Sequence, residues 1–223
     1  MTATVKTEKL LMQKDGPIGW ITFNQPEKRN AVSQEMWQAM PEYVADLAAD
    51  DAIRVVILRG AGEQAFVAGA DISQFKDRRR NAADEEEYRR ISGAGSQSLA
   101  NLGKPLLAMI HGFCIGGGVS IAITCRMRIA ADEARFGIPA ARLGLGYHYH
   151  GMEKLMSLIG PAYTKELFFT ARTDFSAPDA LRMGLVNQVV PKADLERFTR
   201  DYAMMMSRNA PLTLRSAKAS VGQ

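Results

Sequence analysis

The chain has 223 residues, of which 47% are hydrophobic and 23% are charged, with a formal net charge of +4. This composition is that of a globular protein with one large or two small domains. No apolar run approaches the ~20 residues that span a bilayer. Met1–Lys9 lacks the apolar core of a signal peptide, and two cysteines make no disulfide framework. We therefore expect a reduced, cytoplasmic protein with no membrane partner.

The positive net charge raises the question of nucleic-acid binding. The main basic run, Lys76–Arg80, is followed within a few residues by the acidic run Asp84–Glu87. Such a mixed-charge run is typical of a solvated helix surface. No aromatic residues interleave with the basic run, as a base-stacking surface would require. Nucleic acid is therefore not an expected partner. The positive charge is better explained by binding of a small polyanionic ligand.

The first part of the chain predicts alternating strands and helices. Val5–Gln13 and Ile18–Phe23 have the pattern of two strands around the turn at Asp15-Gly16-Pro17. Ser33 is a candidate N-cap for the helix that follows, and Ile53–Leu58 is a β-branched run typical of a buried strand. This order indicates an α/β architecture.

The same alternation continues before the pattern becomes mostly helical. The predicted elements are a helix at Glu85–Leu102, a strand at Pro105–Ile110, the start of a further helix at Gly117–Thr124 and a strand at Met127–Ala131. Later helices are predicted at Glu153–Leu158, Ala162–Ala171, Ala177–Met183 and Ala193–Ser207, and Ser176 with Asp179 predicts a capping pair.

Two loops of small residues stand out, Phe66–Ile72 and His111–Gly118. Each alone is also typical of a turn or of tight packing. Neither is followed by Gly-Lys-Ser/Thr, and neither has the Gly-x-Gly-x-x-Gly spacing of dinucleotide-binding loops. As a pair of uncharged N–H donors they would polarise a carbonyl oxygen, each contributing roughly 3 kcal/mol in catalysis.

From about Val5 to Ala219 the chain resembles the crotonase (enoyl-CoA hydratase/isomerase) family. The matching stretches, in order, are Lys28–Ala31, Ala65–Ile72, Lys104-Pro105, Gly112–Gly118, Ala134–Pro139, Arg142–Gly144 and Ala180–Val190. The resemblance implies an α/β spiral of ββα units with a helical C-terminal region. Residues 1–150 would form the acyl-CoA-binding core, and residues 151–223 an incomplete helical region, since family members usually continue for several tens of residues.

The resemblance also implies the site. The N–H groups of Ala70 and Gly117 would form an oxyanion hole for a coenzyme A thioester substrate, with no permanently bound cofactor. The coenzyme A site would be lined by Arg29, Ala31, Ala68, Asp71 and Ile72. The expected assembly is a homotrimer or a dimer of trimers.

Two family positions differ from the hydratase pattern. A hydratase of this family has glutamates three residues after the second oxyanion glycine and directly after the proline of its Phe-Gly-x-Pro stretch. Here those positions are Ser120 and Ala140. Because neither side chain can replace a carboxylate in proton transfer, we do not expect hydration by the two-glutamate mechanism.

Four polar rings follow at Tyr147–His150. They could pack under the C-terminal helices, bind a metal through His148 and His150, or supply a catalytic acid; no carboxylate cluster supports the metal. With Lys165–Ala171, the segment resembles methylmalonyl-CoA decarboxylase, in which the tyrosine corresponding to Tyr147 faces the substrate carboxylate. That decarboxylase has a histidine where this chain has Ala70.

Asp71 is a candidate general base, but its position before a predicted helix favours a helix cap. Cys114 and Cys125 lack a His–acid partner and are predicted to be core residues. The leading functional hypothesis is an enzyme that stabilises a thioester enolate, with a decarboxylase-like or other non-hydratase reaction. A catalytically impaired acyl-CoA-binding homologue and an RNA-binding family member are the alternatives.

Overall fold

The computed structural model describes residues 7–71, 82–144, 146 and 149–221. Its strands are β1 (Leu10–Asp15), β2 (Ile18–Phe23), β3 (Val55–Gly60), β4 (Ala65–Val67), β5 (Leu106–Ile110), β6 (Phe113–Ile115), β7 (Met127–Ala131), β8 (Arg135–Gly137), β9 (Phe175–Ser176) and β10 (Gln188–Val190). Its helices are α1 (Gln34–Ala49), α2 (Ala82–Asn101), α3 (Gly117–Thr124), α4 (Tyr149–Thr170), α5 (Ala177–Met183), α6 (Leu195–Ser207) and α7 (Pro211–Val221).

The strands form two sheets. The larger has the order β1-β2-β3-β5-β7-β10, with β1 antiparallel to β2 and the remaining pairs parallel. The smaller has the order β4-β6-β8-β9, in which only the β8–β9 pair is antiparallel. The parallel strands require crossover connections, and α1, α2 and α3 lie in those crossovers. The predicted α/β architecture is confirmed.

Both faces of the larger sheet are covered, which explains why all six residues of β2 are buried. On one face Ile21 and Phe23 join the main core, which also contains residues of α1 and α2 such as Met40 and Leu99. On the other face Ile18 and Trp20 pack in a second cluster with residues of α6 such as Ala203.

Three predicted elements are confirmed with the same bounds, Ile18–Phe23, Met127–Ala131 and Ala177–Met183. The helix predicted to start at Gly117 does so, and it ends at Thr124. The predicted break before Ala162 is also found, because Gly160 has a non-helical backbone (φ 75°, ψ 166°) inside α4.

The first strand was predicted to start at Val5, and this start was wrong, since the described residues before Leu10 are not in a strand. It begins at Leu10, because the turn at Gly16 sets a register in which Leu10 pairs with Phe23, the last residue of β2. The third strand begins at Val55 rather than Ile53, whose N–H instead donates to Asp50 in a turn.

No helix within the described ranges combines the length and the apolar character needed to cross a bilayer. The predicted division at residue 150 stays a prediction. Two strands that follow it pair with the sheets, since β9 lies beside β8 and β10 lies beside β7.

The fold yields a test at the cap of α5. The Asp179 N–H donates to Ser176 Oγ at 3.2 Å, and Asp179 Oδ2 accepts from the Ser176 N–H at 3.1 Å, which confirms the predicted capping pair. We expect Ser176→Ala to lower the free energy of unfolding by about 1 kcal/mol in urea denaturation at pH 7.

The control is Ser157→Ala, which removes an exposed hydroxyl in the interior of α4 and should change the stability by less than about 0.5 kcal/mol. Hydrogen bonds from Ser176 lower the pKa of Asp179. Because the pKa of Asp179 is lower in the folded state, its carboxylate stabilises the fold at pH values above the ordinary aspartate pKa of about 4. This contribution to stability is lost as the pH falls through the folded-state pKa. Equal stability of wild type and Ser176→Ala at pH 7 would contradict the cap.

Candidate functional site

The candidate site lies at one edge of the smaller sheet. Strands β4, β6 and β8 are parallel neighbours, so their carboxyl ends meet at the same edge. The segments that follow them contain Ala70, Gly117 and Ala140, respectively. Three short strands of three residues each thus bring together segments that are distant in sequence.

The first segment is held against the loop that precedes α1. The Ala68 N–H donates to Arg29 O at 3.0 Å, the Val32 N–H donates to Gly69 O at 2.9 Å, and the Asp71 N–H donates to Val32 O at 3.0 Å. These bonds fix the backbone on both sides of Ala70. The Ala70 N–H takes no part in this ladder.

The second segment is the glycine turn that opens α3. Gly116 adopts φ 56° and ψ −111°, a backbone conformation that favours glycine, and its N–H donates to Gly137 O at 2.8 Å. Gly117 is the first residue of α3, so its N–H has no acceptor within the helix. The positive end of the helix dipole adds to the attraction of this N–H for negative charge.

The two segments face the same space. A methyl group on Gly117 would lie 3.7 Å from the Ala70 nitrogen and 3.6 Å from Gly69 Cα. Both Ala70 and Gly117 are partly exposed. The two N–H groups thus belong to neighbouring, partly exposed segments, and two donors for one developing negative charge have to be neighbours of this kind.

The loop Gln25–Ala31 lies beside the first segment and contains two residues in the left-handed region, Arg29 (φ 52°) and Asn30 (φ 56°). Asn30 is fully buried; its Nδ2 donates to Ala65 O at 2.7 Å, and its Oδ1 accepts from the Gln25 N–H at 3.0 Å. Asparagine tolerates this backbone better than other residues. The side-chain bonds of Asn30 therefore hold the loop against Ala65, the first residue of β4.

The structure gives positions for four of the five residues expected to bind coenzyme A. The Arg29 side chain is exposed, with its guanidinium 4.8 Å from the centre of the Phe113 ring. Ala31 is buried and Ala68 is half-buried beside it in the same ladder. Asp71 is 5% exposed. Ile72 lies outside the described residues.

Asp71 makes contacts that the sequence did not predict. Its Oδ2 accepts from Gln25 Nε2 at 3.1 Å and from Lys28 Nζ at 3.0 Å. Lys28 belongs to a stretch that matches the family, but nothing in its spacing indicated a partner 43 residues later. The helix that Asp71 was predicted to cap lies outside the described residues, so the cap stays a prediction.

The two positions that differ from the hydratase pattern have different surroundings. Ser120 is exposed on the first turn of α3. Ala140 is buried after β8. Tyr147 and His148 lie outside the described residues, as does the side chain of His150. Among the described residues, no three His, Cys, Asp or Glu side chains are grouped as they would be around a metal ion.

The two cysteines are core residues, as predicted. Cys114 and Cys125 are fully buried thiols in the main core. Burial raises the pKa of Cys125 to about 12, and burial raises that of Cys114 also. Neither is therefore a thiolate nucleophile near neutral pH.

Comparison with known proteins gives one consistent family. Residues 13–223 match the family model described as enoyl-CoA hydratase/isomerase. The chain is 34% identical over 219 residues to a short-chain-enoyl-CoA hydratase of Clostridium acetobutylicum, covering 98% of this chain and 83% of that protein. It is 33% identical to a carnitinyl-CoA dehydratase of Salmonella typhi, covering 95% and 79%.

Solved structures give the same result. An enoyl-CoA hydratase/carnithine racemase from Magnetospirillum magneticum superimposes with a TM-score of 0.92 and 31% sequence identity, covering 97% of this chain and 81% of that one. An enoyl-CoA hydratase from Bacillus anthracis superimposes with a TM-score of 0.91 and 29% identity, covering 97% and 83%.

Two neighbouring glycines provide a test of the site geometry. We expect Gly117→Ala to fold with unchanged or slightly higher stability, because its methyl would meet other atoms only at 3.6 Å or more and alanine favours a helix. We expect Gly118→Ala to lose about 2 kcal/mol or more, because its methyl would lie 2.0 Å from Val67 O. Thermal unfolding of both variants measures the difference. Equal losses would mean that the space beside Ala70 is not open.

Proposed function

The chain belongs to the enoyl-CoA hydratase/isomerase family, and from this premise we propose that it binds an acyl-CoA thioester and stabilises its enolate between the N–H groups of Ala70 and Gly117. The expected crotonase-like fold with a helical C-terminal region is confirmed. The observation that carries the proposal is the shared space beside these two N–H groups, one of them at a helix N-terminus. In this role each donor lowers the barrier by roughly 3 kcal/mol.

The reaction we favour is not hydration. Adding water to an enoyl thioester requires groups that hold and deprotonate the water, and in the family pattern these are two glutamates. The sequence has Ser120 and Ala140 at the matching positions. An alanine has no titratable group, and a serine without a base partner is a poor proton acceptor near neutral pH. The hydratase and dehydratase names of the relatives therefore do not fix this chain's reaction.

Decarboxylation of a malonyl-type thioester fits this site best. The bond between the α-carbon and the carboxylate breaks, carbon dioxide leaves, and the electron pair remains as the thioester enolate. No general base is needed for this step, because the leaving group itself supplies the electron pair. Stabilisation of the enolate oxygen then lowers the barrier selectively in the transition state. A proton delivered to the α-carbon completes the reaction.

We assign the acid or hydrogen-bond donor beside the substrate to Tyr147, by its resemblance to methylmalonyl-CoA decarboxylase. For the coenzyme A portion we propose the segments around Arg29, Ala31, Ala68, Asp71 and Ile72. The support is that Ala68 and Asp71 lie in the ladder beside Ala70, and that the exposed guanidinium of Arg29 provides positive charge for a phosphate.

The decarboxylase proposal is tested with purified protein and a panel of malonyl-type thioesters. We expect release of carbon dioxide and formation of the decarboxylated acyl-CoA, with no hydration of crotonyl-CoA. We expect Gly117→Ala to lower kcat by about 100-fold or more, because its methyl would occupy the oxyanion position. We expect Tyr147→Phe to lower kcat by about 100-fold if the tyrosine is the acid.

The matched control is Tyr202→Phe, which removes a phenol of α6 that packs on the second cluster of the larger sheet, and it should retain the wild-type rate. Crotonyl-CoA hydration at an ordinary enzymatic rate would contradict the proposal. Tight acyl-CoA binding with no carbon dioxide release and no exchange of α-protons in deuterated water would instead identify a catalytically impaired binding protein.

We also infer that the chain assembles as a homotrimer or a dimer of trimers, as its family resemblance implies. The support is that α7 buries none of its residues and that Met205, Leu212 and Val221 expose apolar side chains on α6 and α7. Sedimentation equilibrium should give a mass three or six times that of the 24.5 kDa chain. A monomer mass at micromolar concentration would contradict this assembly.

A further inference from the structure

An ion pair between a buried carboxylate and an exposed lysine joins the loop before α1 to the segment that contains Ala70. Asp71 Oδ2 lies 3.0 Å from Lys28 Nζ, and the Asp71 side chain is 4% exposed while that of Lys28 is 44% exposed. The same oxygen accepts from Gln25 Nε2 at 3.1 Å. The carboxylate of the residue that directly follows Ala70 is thus held by two donors from one loop.

Gln25 contributes the second donor to this carboxylate. The Gln25 side chain is buried, and its Nε2 lies 3.1 Å from Asp71 Oδ2. An amide N–H is a donor and a carboxylate oxygen is an acceptor, so this contact complements the ion pair with Lys28. The Asp71 carboxylate is thus attached to the loop by a buried amide and by an ammonium group.

This contact acts on the position of Ala70. The backbone bonds of Gly69 and Asp71 to Val32 determine the direction of the intervening Ala70 N–H. Val32 belongs to the strand-like end of the loop that carries Gln25 and Lys28, and Asn30 anchors that loop to Ala61 O and Ala65 O. The side chain of Asp71 adds a second attachment to the same loop. The Ala70 N–H is therefore fixed by backbone bonds on both sides, and the Asp71 side chain adds an ion pair to these bonds.

We propose that Asp71 is a positioning residue, whose ionic attachment to Lys28 and Gln25 aims the Ala70 N–H at the thioester oxygen. Its carboxylate is buried and faces the loop, so it acts through the backbone of Ala70 rather than by direct contact with substrate. The proposal rests on the proposed function, because it requires that a thioester oxygen bind at Ala70 and Gly117. An oxyanion donor loses much of its effect when it is displaced by a fraction of an ångström, since stabilisation depends on preorganisation.

The test uses a chromophoric thioester, 4-dimethylaminocinnamoyl-CoA, whose absorption band moves to longer wavelength when its carbonyl is polarised. We expect wild type to shift the band. We expect Asp71→Asn, which keeps the side-chain shape but removes the charge, to give about half that shift or less with a dissociation constant within about threefold of wild type. In turnover we expect kcat to fall about tenfold with KM nearly unchanged, because the Ala70 N–H would lose part of its stabilisation of the enolate oxygen.

Lys28→Met is the second variant, because it removes the exposed partner and leaves the buried residues in place. Lys28→Met should also reduce the band shift, but by less than Asp71→Asn does. The matched control is Lys14→Met, since Lys14 also pairs with carboxylates, those of Asp46 and Asp50, and is similarly exposed. It should give the wild-type shift and rate. Thermal unfolding of every variant separates loss of fold from loss of polarisation.

The outcomes distinguish the two proposals. No band shift in wild type would overturn the oxyanion site itself, and the positioning role with it. A full wild-type shift in both Asp71→Asn and Lys28→Met, even with lower melting temperatures, would overturn only the positioning role and leave a structural ion pair. If Asp71→Asn does not fold, the shift of Lys28→Met decides alone.

Discussion

Two backbone N–H groups share one space because the strands that precede them are parallel neighbours. The pairing of β4 with β6 and of β6 with β8 brings the segments after Val67, Ile115 and Gly137 to one edge of the smaller sheet. Each strand is only three residues long, so its position depends on the larger sheet and core behind it. Displacement of either strand would separate the donors, and the chemistry we propose needs both on one oxygen.

The glycines near this edge are of two kinds, those where an added methyl group would clash and those where it would not. At Gly112 an added methyl would lie 1.9 Å from Gln64 O, and at Gly118 it would lie 2.0 Å from Val67 O. Glycine is required at these two positions so that backbones can approach closely. At Gly117 an added methyl would meet only ordinary contacts, the nearest being the segment at Ala70. Packing therefore does not require glycine at position 117, whereas the proposed approach of a thioester oxygen to the Gly117 N–H would.

The sequence predicted the long elements well and the contacts between distant segments poorly. Regular periodicity and caps such as Ser33 and Ser176 mark helices locally, and both caps are observed. Strands as short as β4, β6 and β8 leave no periodic pattern to detect. The Lys28–Asp71 pair joins residues 43 positions apart, and only the folded loop with its left-handed Arg29 and Asn30 brings them together.

An oxyanion hole made of backbone groups is compatible with several reactions, because it recognises a thioester oxygen and places no condition on the α-carbon. The reaction must therefore be decided by side chains at the same strand edge. Ala140 contributes no titratable group there, and Ser120 contributes a hydroxyl on the first turn of α3. In the function that we propose, such a site would favour substrates that generate their own enolate. Catalysis would then depend on accurate placement of the two N–H donors, and this is the role that we propose for the buried Asp71 carboxylate beside Ala70.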